Sequence, residues 1–182
     1  MDRIIYLPPY RIDVTRRGGV ERLVPDVVLA RIMAVALEAA GAPAPASVGL
    51  ILGDDRELTV LNQVAMSAEG PTDVLSFPLL PPSAYPAHAG QDPSLRLRRP
   101  GPVFALPPGR RVHLGEMVVS VERAAAQAGE GRGGQTGDRH WSPADELRLL
   151  VTHGTLHLCG WDHAEPAEET AMRALERRLL GV

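Results

Sequence analysis

The amino-acid sequence predicts an α+β fold, in which a small mixed β-sheet is packed with helices. Segments with apolar residues at helical spacing alternate with short apolar strands, and two of the strands meet across a long proline-rich stretch without a helix between them. A regular doubly wound sheet needs a helix between successive strands, so this pattern favours a mixed sheet. The length of 182 residues suits one domain, and we assign residues 1–182 to it.

The first predicted elements run from the N-terminus through the second helix. The apolar stretches RIIYL and YRIDV are separated by Pro8 and Pro9, and they form either one broken strand or two short strands. Apolar residues at helical spacing after Pro25 predict a helix that ends at Gly41. SVGLIL then has the composition of a buried strand, and DDRELTVLNQVAM begins a helix with acidic residues in its first turn.

The second half begins with a short strand in PTDVLSFP. Residues 79–111 are dominated by Pro, Gly and Arg without a sustained period, so we expect a surface insertion or a partly ordered loop there. VHLGEMVVS is the next predicted strand and VERAAAQA a short helix. The last helix is predicted from about Pro166, with Met172, Leu175 and Leu179 at helical spacing.

One helix in the C-terminal half has a clear start signal. Ser142 is an N-cap residue, Pro143 suits the first helical position, and acidic residues follow in the first turn. The helix should run to about Leu158. At about 100° per residue its apolar side chains form one buried stripe, with His153 and His157 together at the edge of that stripe. The two imidazoles are therefore expected to face the same way beside the core.

The stretch HGTLHLCGWDH predicts a metal site on this helix and the following turn. Its spacing is H-x3-H-x5-H. Positions i and i+4 are neighbours on a helix, so His153 and His157 can share a cation, and a turn at Gly160 can bring His163 to it. Three neutral imidazoles suit Zn²⁺ and leave a fourth position open, as is typical of catalytic zinc sites. A single histidine is more often a core or surface residue, but three at this spacing favour one zinc ion per chain.

The same histidine spacing occurs in metzincin-type zinc peptidases, where a glutamate general base follows the first histidine. The corresponding position here is Gly154, which cannot act as a base. The sequence therefore argues against a peptidase.

Three motifs, PTDVLSFP, LGEMVVS and HGTLHLCGWDH, together resemble the YbeY family of bacterial endoribonucleases, which act in ribosomal RNA maturation. The resemblance extends from the second predicted helix to the acidic C-terminal helix. It implies a zinc-dependent, single-strand-specific endoribonuclease of ribosomal RNA processing. The metal ligands it implies, which also act in catalysis through the zinc, are His153, His157 and His163. The partners it implies are RNA, small-subunit ribosomal RNA in particular, and the ribosome or its associated factors.

Residues next to the ligands have two interpretations each. Asp162 either orients an imidazole or caps a turn, and both alternatives stay open. Thr72 and Asp73 would begin the strand beside the site, unless Asp73 is only a polar residue at the start of a strand. Cys159 lies between the ligands at no ligand spacing, so it is interpreted as a small buried residue.

The chain departs from the family's pattern in several places. Ala65 and Met66 stand where the family has a tyrosine and an arginine, and that arginine is associated with catalysis or RNA contact. Glu116 replaces an aspartate, and the insertion at 79–111 exceeds the family's usual connection. The rival hypothesis is therefore a ribosome-associated assembly factor with structural zinc and weak or lost nuclease activity.

Charge is distributed unevenly along the chain. The formal net charge of -3 gives no overall attraction to nucleic acid. The insertion nevertheless holds a basic stretch with Arg96, Arg98, Arg99, Arg110 and Arg111. This stretch either binds phosphate or is a solvated loop, and the scarcity of aromatic residues argues against base stacking.

The expected compartment is the cytoplasm. No apolar run approaches the roughly 20 residues needed to span a bilayer, and the N-terminus has no long apolar stretch of the secretory type. With Cys159 as the single cysteine, no intramolecular disulfide can form, in agreement with a reducing compartment. We expect no membrane partner.

Overall fold

A computed structural model of the chain describes residues 2–92, 107, 110–130 and 141–182. The strands in this part are β1 (Asp2–Leu7), β2 (Tyr10–Arg16), β3 (Ala46–Gly53), β4 (Val74–Pro78) and β5 (Val112–Ser120). The α-helices are α1 (Asp26–Ala39), α2 (Asp55–Met66), α3 (Val121–Glu130), α4 (Pro143–Leu158) and α5 (Pro166–Leu180). None of these described helices combines the length and the apolar character needed to cross a bilayer. The predicted α+β fold is confirmed.

The five strands form one mixed sheet in the order β1-β2-β3-β5-β4. β1 and β2 pair antiparallel around Pro8 and Pro9, so the two-strand alternative is the right one. β2, β3 and β5 are mutually parallel, whereas β4 returns antiparallel to β5. The antiparallel return explains why no crossover helix lies between these last two strands.

The main core lies between the sheet and the helices α1, α4 and α5. Every second residue of β2 and β3 is buried on this side, because successive side chains of a strand point to opposite faces. α4 is the central helix and contacts α1, α3, α5, β4 and β5. The side chains at the centre of the core are fully buried; they include Ile12, Leu29, Met33, Leu50, Met117, Leu147, Leu150 and Leu156.

α4 begins at the predicted capping residue. The Ser142 side chain accepts a hydrogen bond from the Asp145 N–H at 3.2 Å, and the Asp145 carboxylate accepts one from the Ser142 N–H at 3.2 Å. This capping box satisfies two N–H groups that the first helical turn leaves unpaired. The start of the ligand-bearing helix is thus fixed by local sequence.

Gly154 allows α4 to lie close against β4 and β5. A Cβ atom at this position would come within 2.1 Å of the Met117 sulfur and 2.9 Å of a Val74 methyl group. The Ser76 hydroxyl also donates a hydrogen bond of 2.9 Å to the Gly154 carbonyl. A side chain here would force Met117 and Val74 to shift, so this position is fitted to glycine and not to the glutamate of a metzincin-type peptidase.

The first part of the insertion, residues 79–92, is mostly exposed, but single side chains of it pack on the core. A 3-10 helix spans Pro82–Ala84, and the side chain of Tyr85 is buried behind it. In the predicted basic stretch, Arg111 donates a hydrogen bond of 2.6 Å to the Pro9 carbonyl. Arg96, Arg98 and Arg99 lie outside the described residues.

Candidate metal centre

The three predicted ligand histidines lie at the C-terminal end of α4 and on the turn that follows it. His153 and His157 belong to the last two turns of α4. Gly160 then adopts φ +80°, in the left-handed region that favours glycine, and its N–H donates to the His157 carbonyl at 3.0 Å. This turn reverses the chain and carries His163 back toward the helix.

The imidazoles converge as the spacing predicted. The Nε2 atoms of His153 and His157 are 3.0 Å apart, and the ring centroid of His163 lies 5.4 Å and 5.0 Å from theirs. One ligand nitrogen from each ring lies within 4.8 Å of the other two. Two tetrahedral nitrogen ligands of Zn²⁺ lie roughly 3.3 Å apart, because each is 2.0–2.1 Å from the ion. The donor set therefore fits a divalent metal ion.

Glu176 of α5 orients the first of these rings. Its Oε1 atom lies 2.7 Å from Nδ1 of His153, and its side chain is only 6% exposed. With the Nδ1 proton donated to this carboxylate, the Nε2 lone pair faces the other two histidines. Sequence reasoning missed Glu176, although a glutamate among the buried positions Met172 and Leu175 was a signal of a paired carboxylate.

Burial affects the protonation of His157 most clearly among the three ligands. Burial, followed by the proximity of His153 and His163, lowers the pKa of His157 to about 4. At neutral pH this imidazole is therefore neutral and keeps a lone pair for a cation. A bound metal would meet no competing proton there.

Two of the three histidines, His153 and His163, open onto a cleft of about 300 Å³. It is lined by Asp73, His153, His163, Glu169, Met172, Arg173 and Glu176. The Arg173 guanidinium lies 2.5 Å from the Glu169 carboxylate, and both side chains are substantially exposed. The cleft thus combines metal-binding nitrogens, carboxylates and a guanidinium, and sequence reasoning had not singled out Arg173 or Glu169.

Asp73 lies at the start of β4, on the wall of the same cleft. Its Oδ1 accepts a hydrogen bond from the Val74 N–H at 2.8 Å, and its Oδ2 accepts one from the Gln127 amide at 3.2 Å. The Thr72 hydroxyl is 3.5 Å from Oδ1. The predicted pair therefore sits beside the histidines, with the Asp73 carboxylate held in place from two elements.

Asp162 and Cys159 flank the ligand turn. The Asp162 carboxylate accepts a hydrogen bond of 2.8 Å from the His163 N–H, which is the contact expected of the turn-capping alternative. Cys159 is buried at the C-terminal end of α4, and burial raises the pKa of its thiol to about 12. The thiol is therefore protonated at neutral pH, as expected of a small buried residue rather than a ligand.

The positions that depart from the family's pattern are not among the residues that line the cleft. Met66 is the last residue of α2 and is 64% exposed, and Ala65 beside it is exposed too. Arg56 stands ten positions earlier on α2, about 15 Å along the helix axis, so it does not occupy the place of Met66. Glu116 lies on the opposite face of the sheet from α4, where its carboxylate is 2.9 Å from His113 Nε2.

Comparisons with known proteins place the chain in a family. The family model described as Endoribonuclease YbeY matches residues 23–181. A protein of that name from Salinispora tropica is 37% identical over 174 residues, which cover 93% of each chain. Another from Roseiflexus is 39% identical over 137 residues, covering 75% of this chain and 69% of the relative.

A solved structure shows the same fold. The solution structure of a Thermotoga maritima protein matches with a TM-score of 0.50 and 21% sequence identity. The match covers 93% of this chain and 89% of the other. Together with the family model and the relatives, the convergent histidines show that the chain belongs to the YbeY family of endoribonucleases.

Proposed function

We propose that the chain is a zinc-dependent endoribonuclease that cleaves single-stranded RNA during ribosomal RNA processing in the cytoplasm. The observation that carries the proposal is the convergence of three imidazoles within 4.8 Å, two of which line a cleft. The relatives named Endoribonuclease YbeY support the choice of RNA as the substrate. The proposed ligands are His153, His157 and His163, with one zinc ion per chain.

The metal supplies the central chemistry of the proposal. A bound Zn²⁺ polarises a phosphoryl oxygen and lowers the pKa of a coordinated water to roughly 7. The protein's contribution is to hold the nitrogen donors in place and in the neutral state. Glu176 fixes the tautomer of His153, and the burial of His157 keeps that ring unprotonated.

Arg173 is the residue that we assign to the phosphate of the substrate. It lines the cleft with His153 and His163, and its ion pair with Glu169 is exposed. Exposed ion pairs contribute only about 0–1 kcal/mol, so the guanidinium can leave Glu169 for a phosphate at little cost. A guanidinium also matches two phosphate oxygens at once, which positions the scissile group.

The shape of the cleft supports a single-stranded substrate. Its volume of about 300 Å³ is that of a small-ligand pocket. His153, which lines the cleft, is only partly exposed. A scissile phosphate can reach it more easily from an extended strand than from a rigid duplex, since a duplex holds its backbone in a fixed A-form helix.

A second candidate function is a ribosome-associated assembly factor with structural zinc. Met66 favours it, because an exposed apolar side chain stands where the family pattern that the sequence resembles has an arginine. Under this hypothesis zinc stabilises the ligand turn but RNA is not cleaved.

One experiment distinguishes the two functions. Purified protein of known zinc content is incubated with a single-stranded ribosomal RNA fragment and with the same fragment annealed to its complement. Nuclease function predicts cleavage of the single strand, loss of cleavage on chelation and recovery with added zinc. The control is His153→Ala, which should contain almost no zinc. Full zinc content with no cleavage would support the assembly factor, and full zinc content in His153→Ala would refute the ligand assignment.

A further inference from the structure

Residues 82–90, here called the brace segment, pack along the turn that carries His163. At one end, Pro82 lies close to Gly160: a Cβ atom added to Gly160 would be 2.9 Å from the Pro82 Cα atom. At the other end, a Cβ atom on Gly90 would be 2.3 Å from the backbone nitrogen of Glu168. Gly90 also has φ +80°, so a side chain there would be both crowded and strained. The close approach at both ends indicates that the brace segment is fitted to the ligand turn.

His88 lies in the brace segment and contacts both sides of the turn. Its Nε2 atom is 2.6 Å from Oε1 of Glu168, and the two side chains are only 6% and 4% exposed. Its ring stacks on Trp161, with the ring centroids 3.9 Å apart and the planes inclined by 12°. A buried histidine with a carboxylate on one side and an indole on the other has its position strongly determined.

Glu168 connects His88 to Asp162, the residue that precedes the third ligand, His163. The same Oε1 atom that contacts His88 accepts a hydrogen bond of 3.1 Å from the Asp162 N–H. His88 therefore touches Trp161 directly and Asp162 through Glu168, so both residues that precede His163 are held by it. The Asp162 carboxylate then caps the His163 N–H.

His163 needs such support more than the other two ligands do. His153 and His157 are held by the helical hydrogen bonds of α4, whereas His163 is exposed and lies between α4 and α5. Its distance from the other imidazoles depends on the contacts of the turn. Ordering a free turn at the moment of metal binding would lower affinity, because binding must then offset the lost conformational entropy.

We propose that His88 is a positioning residue of the metal centre, which holds the turn of His163 in the geometry that binds the metal. The role belongs to a part of the chain that sequence analysis assigned to the insertion. The proposal rests on the proposed zinc site but not on the nuclease activity. It predicts an effect on metal binding that exceeds any effect on folding.

The test compares the zinc dissociation rate, measured with a chromogenic chelator, in the wild type and His88→Ala. We expect dissociation at least about tenfold faster in the variant, as for the loss of other groups that orient metal ligands. The visible absorption spectrum of the cobalt-substituted protein should change as well, since it reports ligand geometry. His88→Gln keeps a side-chain N–H donor and should recover a substantial part of the zinc retention.

The control is His113→Ala. His113 contacts Ser47 and Glu116 on the opposite face of the sheet, so its removal should leave zinc dissociation and the cobalt spectrum unchanged. Unfolding of the metal-free proteins is measured in parallel, and His88→Phe, which keeps a ring on Trp161, serves if His88→Ala does not fold. Wild-type zinc kinetics and an unchanged cobalt spectrum in a folded His88 variant would overturn the role of His88. A wild-type protein that binds no zinc would instead refute the metal site itself.

Discussion

Glu176 Oε1 and His153 Nδ1 lie 2.7 Å apart, and this contact joins α5 to the helix that carries two of the three clustered histidines. The carboxylate is almost completely buried. A buried carboxylate is costly without a hydrogen-bond donor, so the ring and the carboxylate each stabilise the placement of the other. The position of the C-terminal helix is thereby coupled to the metal centre.

We predict that Glu176→Ala lowers the affinity for zinc about 10–100-fold, because His153 loses the group that fixes its tautomer and orientation. The affinity is measured by competition with a chelator of known strength. Glu176→Gln keeps a hydrogen-bonding oxygen and should lie between the wild type and the alanine variant. Glu21→Ala, at an exposed site, serves as the control. Unaltered affinity in Glu176→Ala would show that His153 is oriented by other contacts.

Gly154→Ala should destabilise the protein although alanine is the better helix former. The added methyl would meet Met117 and Val74, and overpacking of this kind costs about 1–3 kcal/mol, more than the roughly 1 kcal/mol gained in helix propensity. Urea denaturation of the metal-free protein measures the change. The control is Gly129→Ala on α3, where a Cβ has no heavy atom within 4 Å. Equal stabilisation of both variants would contradict the close contact.

The capping box of α4 predicts an effect that depends on pH. Ser142→Ala should lower the free energy of unfolding by about 1 kcal/mol at pH 7. The Ser142 hydrogen bonds, followed by Arg148, lower the pKa of Asp145. A lowered pKa contributes stability above the ordinary value of about 3.9, and this stability is lost as the pH falls through the folded-state pKa. The difference between the two proteins should therefore shrink in acid.

Denaturation curves at pH 7 and at progressively lower pH test this prediction. Ser142→Asn should restore most of the stability at pH 7, since asparagine also caps helices well. A difference between wild type and Ser142→Ala that grows in acid would contradict the assigned role of Asp145.

Local signals in the sequence predicted most of the fold. The helix α4 was predicted from Ser142, Pro143 and the apolar period, because capping and amphipathic spacing are properties of neighbouring residues. The mixed sheet was likewise predicted, because no helix was expected between β4 and β5, and the antiparallel pairing of these strands agrees with it. The packing of residues 79–92 was not predicted, because the side chains of Tyr85 and His88 are buried by contacts with residues distant in the sequence.

In the candidate site, too, local sequence predicted some features, whereas others depend on tertiary packing. The H-x3-H-x5-H spacing predicted the imidazole cluster, because two ligands share a helix and the third follows within one turn. Glu176, Glu168 and Arg173 lie on α5, and nothing in the local pattern tells which side chain of a helix faces a particular ligand. That information depends on how α5 packs against α4, which only the tertiary structure supplies.

Arg173→Ala should slow the cleavage of single-stranded RNA about tenfold to a hundredfold, because a cationic donor near the developing phosphorane charge is lost. Zinc content should stay the same, since Arg173 is paired with Glu169 and not with a ligand histidine. Single-turnover cleavage under matched salt measures the effect. The control is Arg178→Ala, an exposed arginine of the same helix that is not part of the cleft lining. Equal losses in the two variants would indicate general charge effects rather than a specific phosphate contact.

Met66→Arg should raise the rate of RNA cleavage without changing zinc content. Met66 is 64% exposed at the end of α2, so an arginine fits there without steric cost. A well-placed cation on the phosphorane charge is worth roughly 3 kcal/mol, or about a hundredfold in rate. Val64→Arg is the matched control, because Val64 is 79% exposed on the same helix and receives the same charge.

The size of the gain depends on whether Arg173 already supplies this stabilisation. If it does, Met66→Arg should accelerate the wild type only slightly but restore much of the activity of Arg173→Ala, because two groups that act on one charge are not additive. The four proteins, wild type, both single variants and the double variant, are therefore compared by single-turnover cleavage. Equal acceleration in both backgrounds would show that the two positions act independently. No acceleration in either, with full zinc content and no effect of Arg173→Ala, would leave the assembly-factor hypothesis as the better account of this chain.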